Sequence, residues 1–318
     1  GYPYTILPHR GRESGFFRAL NPGLLQAVKE FKPNALLVYG WDLYSHLRPM
    51  QYFRGKLPVL FRGDSTLLDE TAGLHKILRR QVLRLVYRHV DYALYTGKAN
   101  KQYFLTHGVP SEKLVFAPHA IDNLRFGQNH AMHEKKALAW RKSLQIDTNA
   151  IVVLFAGKFT PKKQPGLLLE AAHRINRPDV HFVLAGSGAL EADLKAAASE
   201  NVHFLPFQNQ SAMPVLYRLG DLFVLPSKGP GETWGLAVNE AMASGRPALV
   251  SQKAGAAFDL ILSGKNGECF NPFDYADFER KLHALLDKQK LEKMGRYAWY
   301  FIQEWNYQKA VKAIKMCM

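Results

Sequence analysis

The sequence predicts an α/β protein of two domains, each built from βα units around a parallel sheet. The chain has 318 residues, of which 47% are hydrophobic. At that length a single hydrophobic core usually splits into two. From about Leu20 onward, short apolar runs alternate with amphipathic segments, which is the pattern of βα units. The apolar runs are too short to cross a bilayer and suit buried strands.

Five short apolar runs in the first half and five in the second predict the strands. In order, they are residues 4–7, 35–39, 59–62, 92–95, 114–117, 151–155, 181–185, 203–206, 222–225 and 247–250. Helices are predicted near residues 166–174, 189–199, 212–219 and 236–244, and the segment 290–318 is helical and aromatic.

Domain boundaries follow from the polar segment 127–149, which lacks a strand signal and is expected to be the interdomain passage. We expect an N-terminal Rossmann-like domain over residues 1–127, without its opening βα unit. A C-terminal Rossmann-like domain is expected over residues 128–296. Residues 297–318 are expected to form a helix that packs back on the N-terminal domain.

Charge and cysteine content narrow the class of partner. The formal charge of +15 suits nucleic acid, an anionic membrane surface or anionic small molecules. Basic and aromatic residues are not interleaved, so we expect no nucleic-acid partner. Cys269 and Cys317 are the two cysteines, and neither has the spacing of a metal or redox pair. We therefore expect no metal and a reducing compartment, the cytoplasm.

The segment from Glu232 to Pro247 has the residues of an anion site. Gly235 ends a loop, a helix is predicted from Leu236 to Ser244, and glycine and proline follow it. The first amides of that helix, at Gly235, Leu236 and Ala237, would face outward at the positive end of the helix dipole. Such a site suits a diphosphate.

Two carboxylates bracket this predicted phosphate site. Glu240 lies a little over one turn into the helix, within reach of a vicinal diol such as a ribose. Glu232 precedes the turn, where it could accept hydrogen bonds from a sugar. In isolation the two would be a loop acid and a solvated helix residue. The glycine, the helix start and the flanking strands instead fit one geometry.

Two further loops follow predicted strands, where ligands bind in parallel sheets. The first begins at Gly157 and carries Lys158 and Lys163, which would meet a diphosphate as point charges. Lys162 in the same loop is better explained as a solvated turn residue. The second contains Gly186, which would let the backbone approach a ligand closely, although that signal alone is weak.

Taken together, these motifs resemble the donor domain of retaining glycosyltransferases of family 4, which have the GT-B fold. The resemblance is strong over residues 151–285 and continues at residues 108–126. Its motifs, in order, are Gly157 to Lys163, Gly186-x-Gly188, Pro226-Ser227, Glu232 to Glu240, and Ala241-Met242-Ala243-x-Gly245-x-Pro247.

The resemblance implies a role for each of these residues. Glu240 would hold the ribose hydroxyls, and Glu232 would hold hydroxyls of the transferred sugar. The helix amides and Lys163 would neutralise the diphosphate leaving group, with Lys158 where the family usually has Arg. Trp234 belongs to the same donor-binding segment. Phe207 and Gln208 fall where the family receives the base, although an ordinary loop explains them equally well.

The implied reaction is attack by an acceptor hydroxyl at the anomeric carbon of a nucleoside diphosphate sugar, with retained configuration. The donor would be a UDP-sugar or a GDP-sugar, with UDP favoured, and neither metal nor cofactor is required. We expect a hexose as the sugar and a carbohydrate or lipid-linked acceptor, in polysaccharide, lipopolysaccharide or glycolipid synthesis. The alternatives are a GT-B epimerase or hydrolase of nucleotide sugars and a non-catalytic nucleotide-sugar binder.

One departure from the family lies in the first half of the chain. Many members carry a His where this sequence has Gly63. Arg62 or Asp64 could contact the sugar or the acceptor instead. A structural Asp that caps the following turn is the alternative for Asp64.

A basic amphipathic helix is predicted to begin at Leu74 and end at Val90. Apolar residues occupy one side, and basic residues form a stripe at i, i+4 spacing, with no acid in the segment. The apolar residues are Leu74, Ile77, Leu78, Val82 and Leu85, and the basic ones are Lys76, Arg79, Arg80, Arg84 and Arg88. We expect peripheral contact with an anionic membrane, on its inner face. The alternative is a solvated basic face over a buried apolar stripe.

Overall fold

The computed structural model describes residues 3–10, 20–41, 44–175 and 177–318, apart from the side chain of His75. The chain divides into two compact units. The first comprises Gly1–Pro118 and Gln308–Met318, and the second comprises His119–Tyr307. Each unit contains one parallel sheet.

The first unit is built on a four-stranded sheet in the order β1-β2-β3-β4. Its strands are β1 (Leu36–Tyr39), β2 (Val59–Arg62), β3 (Tyr92–Tyr95) and β4 (Leu114–Phe116). Its helices before residue 118 are α1 (Leu24–Phe31), α2 (Tyr44–Phe53), α3 (Leu74–Tyr87) and α4 (Lys98–Thr106). Val59 and Phe61 pack on one face of the sheet. Leu60 and Leu94 pack on the other face with Ala313 of α14 (Tyr307–Lys315).

The second unit is built on a six-stranded sheet in the order β10-β9-β8-β5-β6-β7. The strands are β5 (Ile151–Ala156), β6 (Val180–Ala185), β7 (Val202–Leu205), β8 (Leu222–Leu225), β9 (Ala248–Ser251) and β10 (Gly267–Phe270). The helices are α5 (Asn123–Gly127), α6 (His130–Ser143), α7 (Gly166–Arg174), α8 (Glu191–Ala196), α9 (Met213–Leu219), α10 (Leu236–Ala243), α11 (Ala257–Leu260), α12 (Tyr275–Leu285) and α13 (Lys288–Ile302).

The side chains of the central strand β5 show that both faces of this sheet are buried. Val152 and Leu154 of β5 pack in one hydrophobic cluster, whereas Ile151, Val153 and Phe155 pack in another. Because successive side chains of a strand point to opposite faces, both faces of the sheet are covered. The uninterrupted apolar run in the sequence follows from this arrangement.

Two strand predictions differ from the structure. Residues 4–7 form no strand, and Tyr4 and Ile6 are exposed. β-propensity describes how well a side chain packs on a half-buried sheet, so an apolar run without such a sheet need not be a strand. The strand β10 was not predicted. It pairs with β9 over four residues, and its sequence contains a glutamate and a glycine.

The segment that the sequence assigned to the interdomain passage contains a helix of the second unit. Residues 130–143 form α6, which packs on α9 and buries Ala137 and Arg141. The Nε of Arg141 donates to the carbonyl of Leu219, and its Nη2 lies 3.0 Å from Asp221. The second unit begins at His119, whereas the sequence placed the boundary at residue 127. Residues 308–318 group with the first unit, whereas 297–307 belong to the second.

Helix α3 turns its apolar stripe away from the core of the first unit. Among its described side chains, the buried ones are Leu83, Val86 and Tyr87. The five apolar residues of the predicted stripe are 41–83% exposed. A buried stripe beneath a basic face was one of the two alternatives for this helix, and the structure contradicts it. Among the described residues, no helix is long and apolar enough to cross a membrane.

Candidate functional site

Loops at the carboxyl ends of three neighbouring strands of the second unit line one cavity of about 310 Å³. They follow β5, β6 and β7, and residues of α9 and of the first two turns of α10 complete the wall. The predicted residues that line the cavity are Gly157, Lys158, Gly186, Phe207, Gln208, Ala237 and Glu240. The structure thus brings together residues that are up to 83 positions apart in the sequence (240 minus 157).

Main chain forms the back of this cavity because two glycine-containing loops pack directly on each other. Gly186 has φ of +148°, and a Cβ atom on it would lie 1.9 Å from the carbonyl oxygen of Gly157. The Gly157 amide donates to Ala185, and the Phe159 amide donates to Ser187, at 2.9 Å each. A side chain at position 186 would force the loops apart. The sequence predicted that Gly186 lets the backbone approach a ligand, and the close contact that the structure shows there is with the Gly157 loop.

Glu240 is half-buried on α10 and is held by a tyrosine. The hydroxyl of Tyr217 donates to Oε2 of Glu240 over 2.6 Å. Burial raises the pKa of the Glu240 carboxyl, while the Tyr217 hydrogen bond and the charge of Arg125 act in the opposite direction. Burial also raises the pKa of Tyr217 well above its usual value, so the hydroxyl stays protonated and serves as a donor. The carboxylate is fixed through one oxygen.

Glu232 is buried, with 8% of its surface exposed, and it has two polar partners. Lys163 forms an ion pair with Oε2, and the hydroxyl of Ser227 donates to the same oxygen over 2.8 Å. The predicted roles placed Lys163 on the diphosphate and Glu232 on the sugar. In the structure these two side chains pair with each other. Both lie beside the start of α10, where a Cβ atom on Gly235 would be 3.8 Å from Oε1 of Glu232.

The start of α10 depends on a glycine. Gly235 caps the helix with φ of +104°, and a Cβ atom there would lie 2.6 Å from Cδ2 of Leu225. The first amides of a helix have no carbonyl partner within it, so those of Leu236 and Ala237 can serve an anion. Ala237 lines the cavity, whereas the Leu236 side chain is exposed. The contribution of Leu236 is thus limited to its backbone.

Trp234, predicted as a donor-binding residue, is a core side chain. Only 4% of its surface is exposed, and its ring lies 5.3 Å from that of Trp305. Its indole N–H donates to Asn239, whose own amide donates to the carbonyl of His119. A large aromatic ring next to a buried helix gains more by packing than by facing water. The tryptophan therefore supports the loop from inside.

In the first unit, Arg62 and Asp64 lie in different surroundings. The guanidinium of Arg62 donates to the carbonyls of Ala117 and Pro118, over 2.9 and 3.2 Å, and burial lowers its pKa. Asp64 lines a cavity of about 210 Å³ with Gly63 and other residues. Arg62 is engaged with the main chain at the end of β4, so of the two predicted residues Asp64 has the better access to a ligand.

Sequence reasoning missed Tyr217 and Arg125 as partners of Glu240. Tyr217 lies on the apolar side of a helix, where a tyrosine is expected to be a core residue. No local spacing connects it to a residue 23 positions later. Arg125 acts on the Glu240 carboxyl through its charge. Ser227 was noticed as part of a motif, and its position directly after β8 could have indicated a polar role.

Solved structures with the same architecture are glycosyltransferases of the GT-B fold. Anabaena HepE in complex with UDP and glucose is 18% identical, with a TM-score of 0.69, covering 93% of this chain and 81% of that one. Sucrose-phosphate synthase from Thermosynechococcus elongatus is 17% identical, with a TM-score of 0.72, covering 93% and 76%. Two parallel sheets of this kind confirm the GT-B fold that the motifs predicted.

The family follows from the sequence comparison. Residues 137–299, half of the chain, match the family described as "Glycosyl transferases group 1", and the chain belongs to it. A relative named D-inositol 3-phosphate glycosyltransferase, from Geodermatophilus obscurus, is 31% identical over 225 residues, or 65% of this chain. The sulfoquinovosyl transferase SQD2 of Arabidopsis thaliana is 31% identical over 169 residues, or 52% of this chain. The matches span 48% and 32% of these two relatives.

Proposed function

We propose that this chain transfers a hexose-type sugar from a nucleoside diphosphate sugar to a hydroxyl acceptor, with retention of configuration at the anomeric carbon. The observation that carries the proposal is the convergence of Lys158, Ala237 and Glu240 on one cavity, with the Lys163–Glu232 pair at the start of the same helix. Cation, helix amides and carboxylate are the groups that a sugar nucleotide requires.

Binding of the nucleotide is assigned to the 310 Å³ cavity. Oε2 of Glu240 is bound to Tyr217, so Oε1 is the oxygen proposed to accept a hydrogen bond from the ribose diol. The diphosphate would lie at the start of α10, where helix amides favour an anion, with Lys158 beside it. Phe207, which is 74% exposed, would cover the base. HepE was solved with UDP-glucose, which supports uridine over guanosine as the base.

In the proposed reaction, the oxygen of the acceptor hydroxyl attacks the anomeric carbon while the bond from that carbon to the diphosphate oxygen breaks. A phosphate oxygen takes the hydroxyl proton on the same face, which retains the configuration. The positive groups of this chain stabilise the negative charge that develops on the leaving diphosphate. Lysine and helix amides would supply that charge, so we propose that the reaction needs no metal. Glu232 would accept a hydrogen bond from a hydroxyl of the transferred sugar.

Calorimetric titration with UDP and GDP tests the assignment. We expect UDP to bind more tightly, and we expect Glu240→Ala to weaken UDP binding by at least about tenfold, since a hydrogen bond to a charged group is worth about 1.5–3 kcal/mol. Glu191→Ala removes an exposed carboxylate on α8 and is the matched control. Equal affinity in the two variants would remove Glu240 from the site.

Turnover separates this proposal from its alternatives. A transferase should release UDP from UDP-glucose faster when a carbohydrate or lipid-linked acceptor is added. Release of free sugar that no acceptor accelerates would indicate a hydrolase or epimerase. Tight UDP binding without any turnover would indicate a nucleotide-sugar binder.

We also propose that α3 contacts an anionic bilayer and brings the chain to a lipid-linked acceptor. Its exposed apolar stripe lies opposite the buried Leu83, with the charges of Arg80, Arg84 and Arg88 alongside. Glu70 pairs with Lys76 and Arg80 and so offsets part of this charge. An amphipathic basic helix binds an interface through buried apolar area and attraction to anionic lipids.

Flotation with phosphatidylglycerol vesicles tests the surface. The triple variant Arg80→Ala, Arg84→Ala, Arg88→Ala should float less, as should Leu78→Ser, which removes an exposed apolar residue of the stripe. The control variant Arg174→Ala, Lys195→Ala, Arg280→Ala loses three exposed cations of the second unit. Equal recovery of the α3 and control variants would rule out this membrane contact.

A further inference from the structure

A second groove in the second unit lies between the start of α6 and the later turns of α13. Its volume is about 760 Å³. The cavity to which we assign the nucleotide, called the donor cavity below, has about 310 Å³ and shares no lining residue with it. The proposed transfer reaction assigns it no role. The residues that matter for its chemistry are Glu134, Arg246, Glu292, Arg296, Trp299 and Tyr300.

Two aromatic side chains form one wall and remain in contact with water. Trp299 is 45% exposed and Tyr300 is 73% exposed, at successive positions of α13. Gly127 lies against the indole, because a Cβ atom there would be 3.1 Å from its Nε1. Gly295 packs on the carbonyl of Gly245, which a Cβ atom would approach to 2.2 Å. The helix is thus held close to the groove floor, while the rings offer flat apolar faces.

Glu134, which lines the groove, lies next to two arginines. Arg218 is 1% exposed, and its Nε lies 3.6 Å from Oε1 of Glu134, beyond hydrogen-bond distance. Nη2 of Arg246 lies 2.5 Å from the same oxygen. Within the described part of the chain, neither Arg218 Nε nor Arg246 Nε has a hydrogen-bond partner. Burial, together with the charge of Arg246, lowers the pKa of Arg218 to about 10. The positive charge here is only partly compensated.

The balance of charge sets the kind of ligand. Arg218, Arg246 and Arg296 carry three positive charges, and Glu134 and Glu292 carry two negative ones, which leaves one positive charge. One negative group on a ligand would balance it. Oxygens of the two carboxylates could accept hydrogen bonds from hydroxyl groups of the same ligand.

We propose that this groove binds an anionic sugar, a pyranose that carries one carboxylate or phosphate group. The sugar ring lies against Trp299 and Tyr300, and the anionic group lies between Arg246 and Arg296. Ring hydroxyls donate to Glu134 and Glu292. Flat apolar faces, paired cations and carboxylate oxygens occur together in this groove, and an anionic pyranose uses all three.

Fluorine NMR of the full chain labelled with 5-fluorotryptophan tests the proposal. The chain has five tryptophans, so five resonances are expected. Trp299→Phe identifies the resonance of Trp299. Spectra are recorded with and without saturating UDP, so the result does not depend on whether UDP occupies the donor cavity. Glucuronate and glucose 6-phosphate should each shift the Trp299 resonance, with Kd on the order of 1 mM. Glucose should bind at least about fivefold more weakly, since it lacks the charged group.

Variants at exposed positions keep the test independent of folding. Arg296→Glu should weaken glucuronate binding by about tenfold or more, since it reverses a charge on the groove wall. Arg280→Glu reverses a comparably exposed charge on α12 and should leave binding unchanged. Tyr300→Ala should weaken binding, and Phe273→Ala, at another exposed aromatic residue of the second unit, should not.

Three outcomes would overturn the proposal. The first is a Trp299 resonance that neither anionic sugar shifts. The second is equal affinity for glucose and glucuronate, which would exclude the role of charge. The third is a stronger shift with added AMP than with either sugar, which would make the groove a nucleotide site. None of these results depends on transferase activity, so loss of the proposed function leaves this test intact.

Discussion

Charged side chains at the strand ends of the two sheets are used differently. In the second unit, Glu240 and Glu232 each hold another side chain, so their carboxylates stay at the cavity and at the start of α10. In the first unit, Arg62 at the end of β2 donates to two carbonyls after β4, so its charge supports the backbone. A charged side chain near a strand end can thus bind a ligand only where neighbouring groups leave some of its hydrogen-bonding atoms unoccupied.

The largest effect that we expect comes from Gly186→Ala in the second unit. The new Cβ atom would lie 1.9 Å from a carbonyl oxygen, so the two loops behind the cavity must separate. We expect the free energy of unfolding to fall by about 3 kcal/mol or more. Urea denaturation measures it. Gly264→Ala is the control, because Gly264 has φ of +74° but nothing within 4 Å of its Cβ position. Similar losses in both would mean that backbone strain, and not the contact, limits position 186.

The second-largest effect is expected from breaking the Lys163–Glu232 ion pair. Lys163→Met leaves Glu232 buried without its counter-charge, and we expect the free energy of unfolding to fall by about 2–3 kcal/mol. The exposed pair Lys195–Glu191 provides the control, since Lys195→Met should change it by less than about 1 kcal/mol. Adding Glu232→Gln to Lys163→Met should recover part of the loss in urea denaturation. No recovery would mean that the charge of Glu232 is not what destabilises the single variant.

Arg62→Met tests the same comparison in the first unit. The carbonyls of Ala117 and Pro118 lose their donor, which we expect to lower the free energy of unfolding by about 1–2 kcal/mol. UDP affinity, measured by calorimetry, should stay unchanged, because the residue serves the backbone of the first unit. A clear fall in UDP affinity without loss of stability would assign Arg62 to the ligand instead.

The smallest effect is expected for Tyr217→Phe. Losing one hydrogen bond should weaken UDP binding by about fivefold, or about 1 kcal/mol. Burial already raises the pKa of Glu240, and Tyr217 opposes that rise, so the variant should have a higher Glu240 pKa. As the pH falls, the carboxylate becomes protonated and UDP affinity decreases. In the variant this decrease should start at a higher pH.

Calorimetry of UDP binding across pH measures the shift, with Tyr297→Phe as the control on an exposed face. If the two pH profiles coincide, the hydroxyl of Tyr217 does not set the charge state of Glu240. An equal loss of affinity at every pH would instead point to a purely structural role for the tyrosine.

Local pattern predicted much of the fold. The strands at 59–62, 92–95 and 222–225 have the bounds that their apolar runs indicated. These runs are buried on both faces of their sheets, so their apolar composition alone identifies them as strands. The four residues of β10 contain a glutamate and a glycine, and their pairing with β9 is a tertiary contact that no local pattern reports.

The site was predicted where strand ends and glycines mark it, and missed where two distant residues meet. Gly157, Gly186 and Glu240 converge on one cavity because parallel strands end on one edge. Tyr217 contacts Glu240 because their helices pack together, and such a contact leaves no pattern of residue spacing in the sequence. Trp234 lies in the donor segment of the sequence, yet its ring points into the core. For α3, periodicity identified the apolar stripe but could not tell which side faces the protein.

The main-chain wall behind the donor cavity has a consequence for how specificity can change. Gly157 and Gly186 line the cavity with backbone atoms, and at Gly186 an added side chain would collide with the carbonyl of Gly157. New preferences for a base or sugar should therefore arise at side chains elsewhere in the lining of the cavity. Phe207 and Gln208 line the same cavity from the loop after β7, and Phe207 is 74% exposed, so we expect substitution there to change the free energy of unfolding little. Directed evolution of donor choice should accordingly concentrate its accepted changes in residues 207–210.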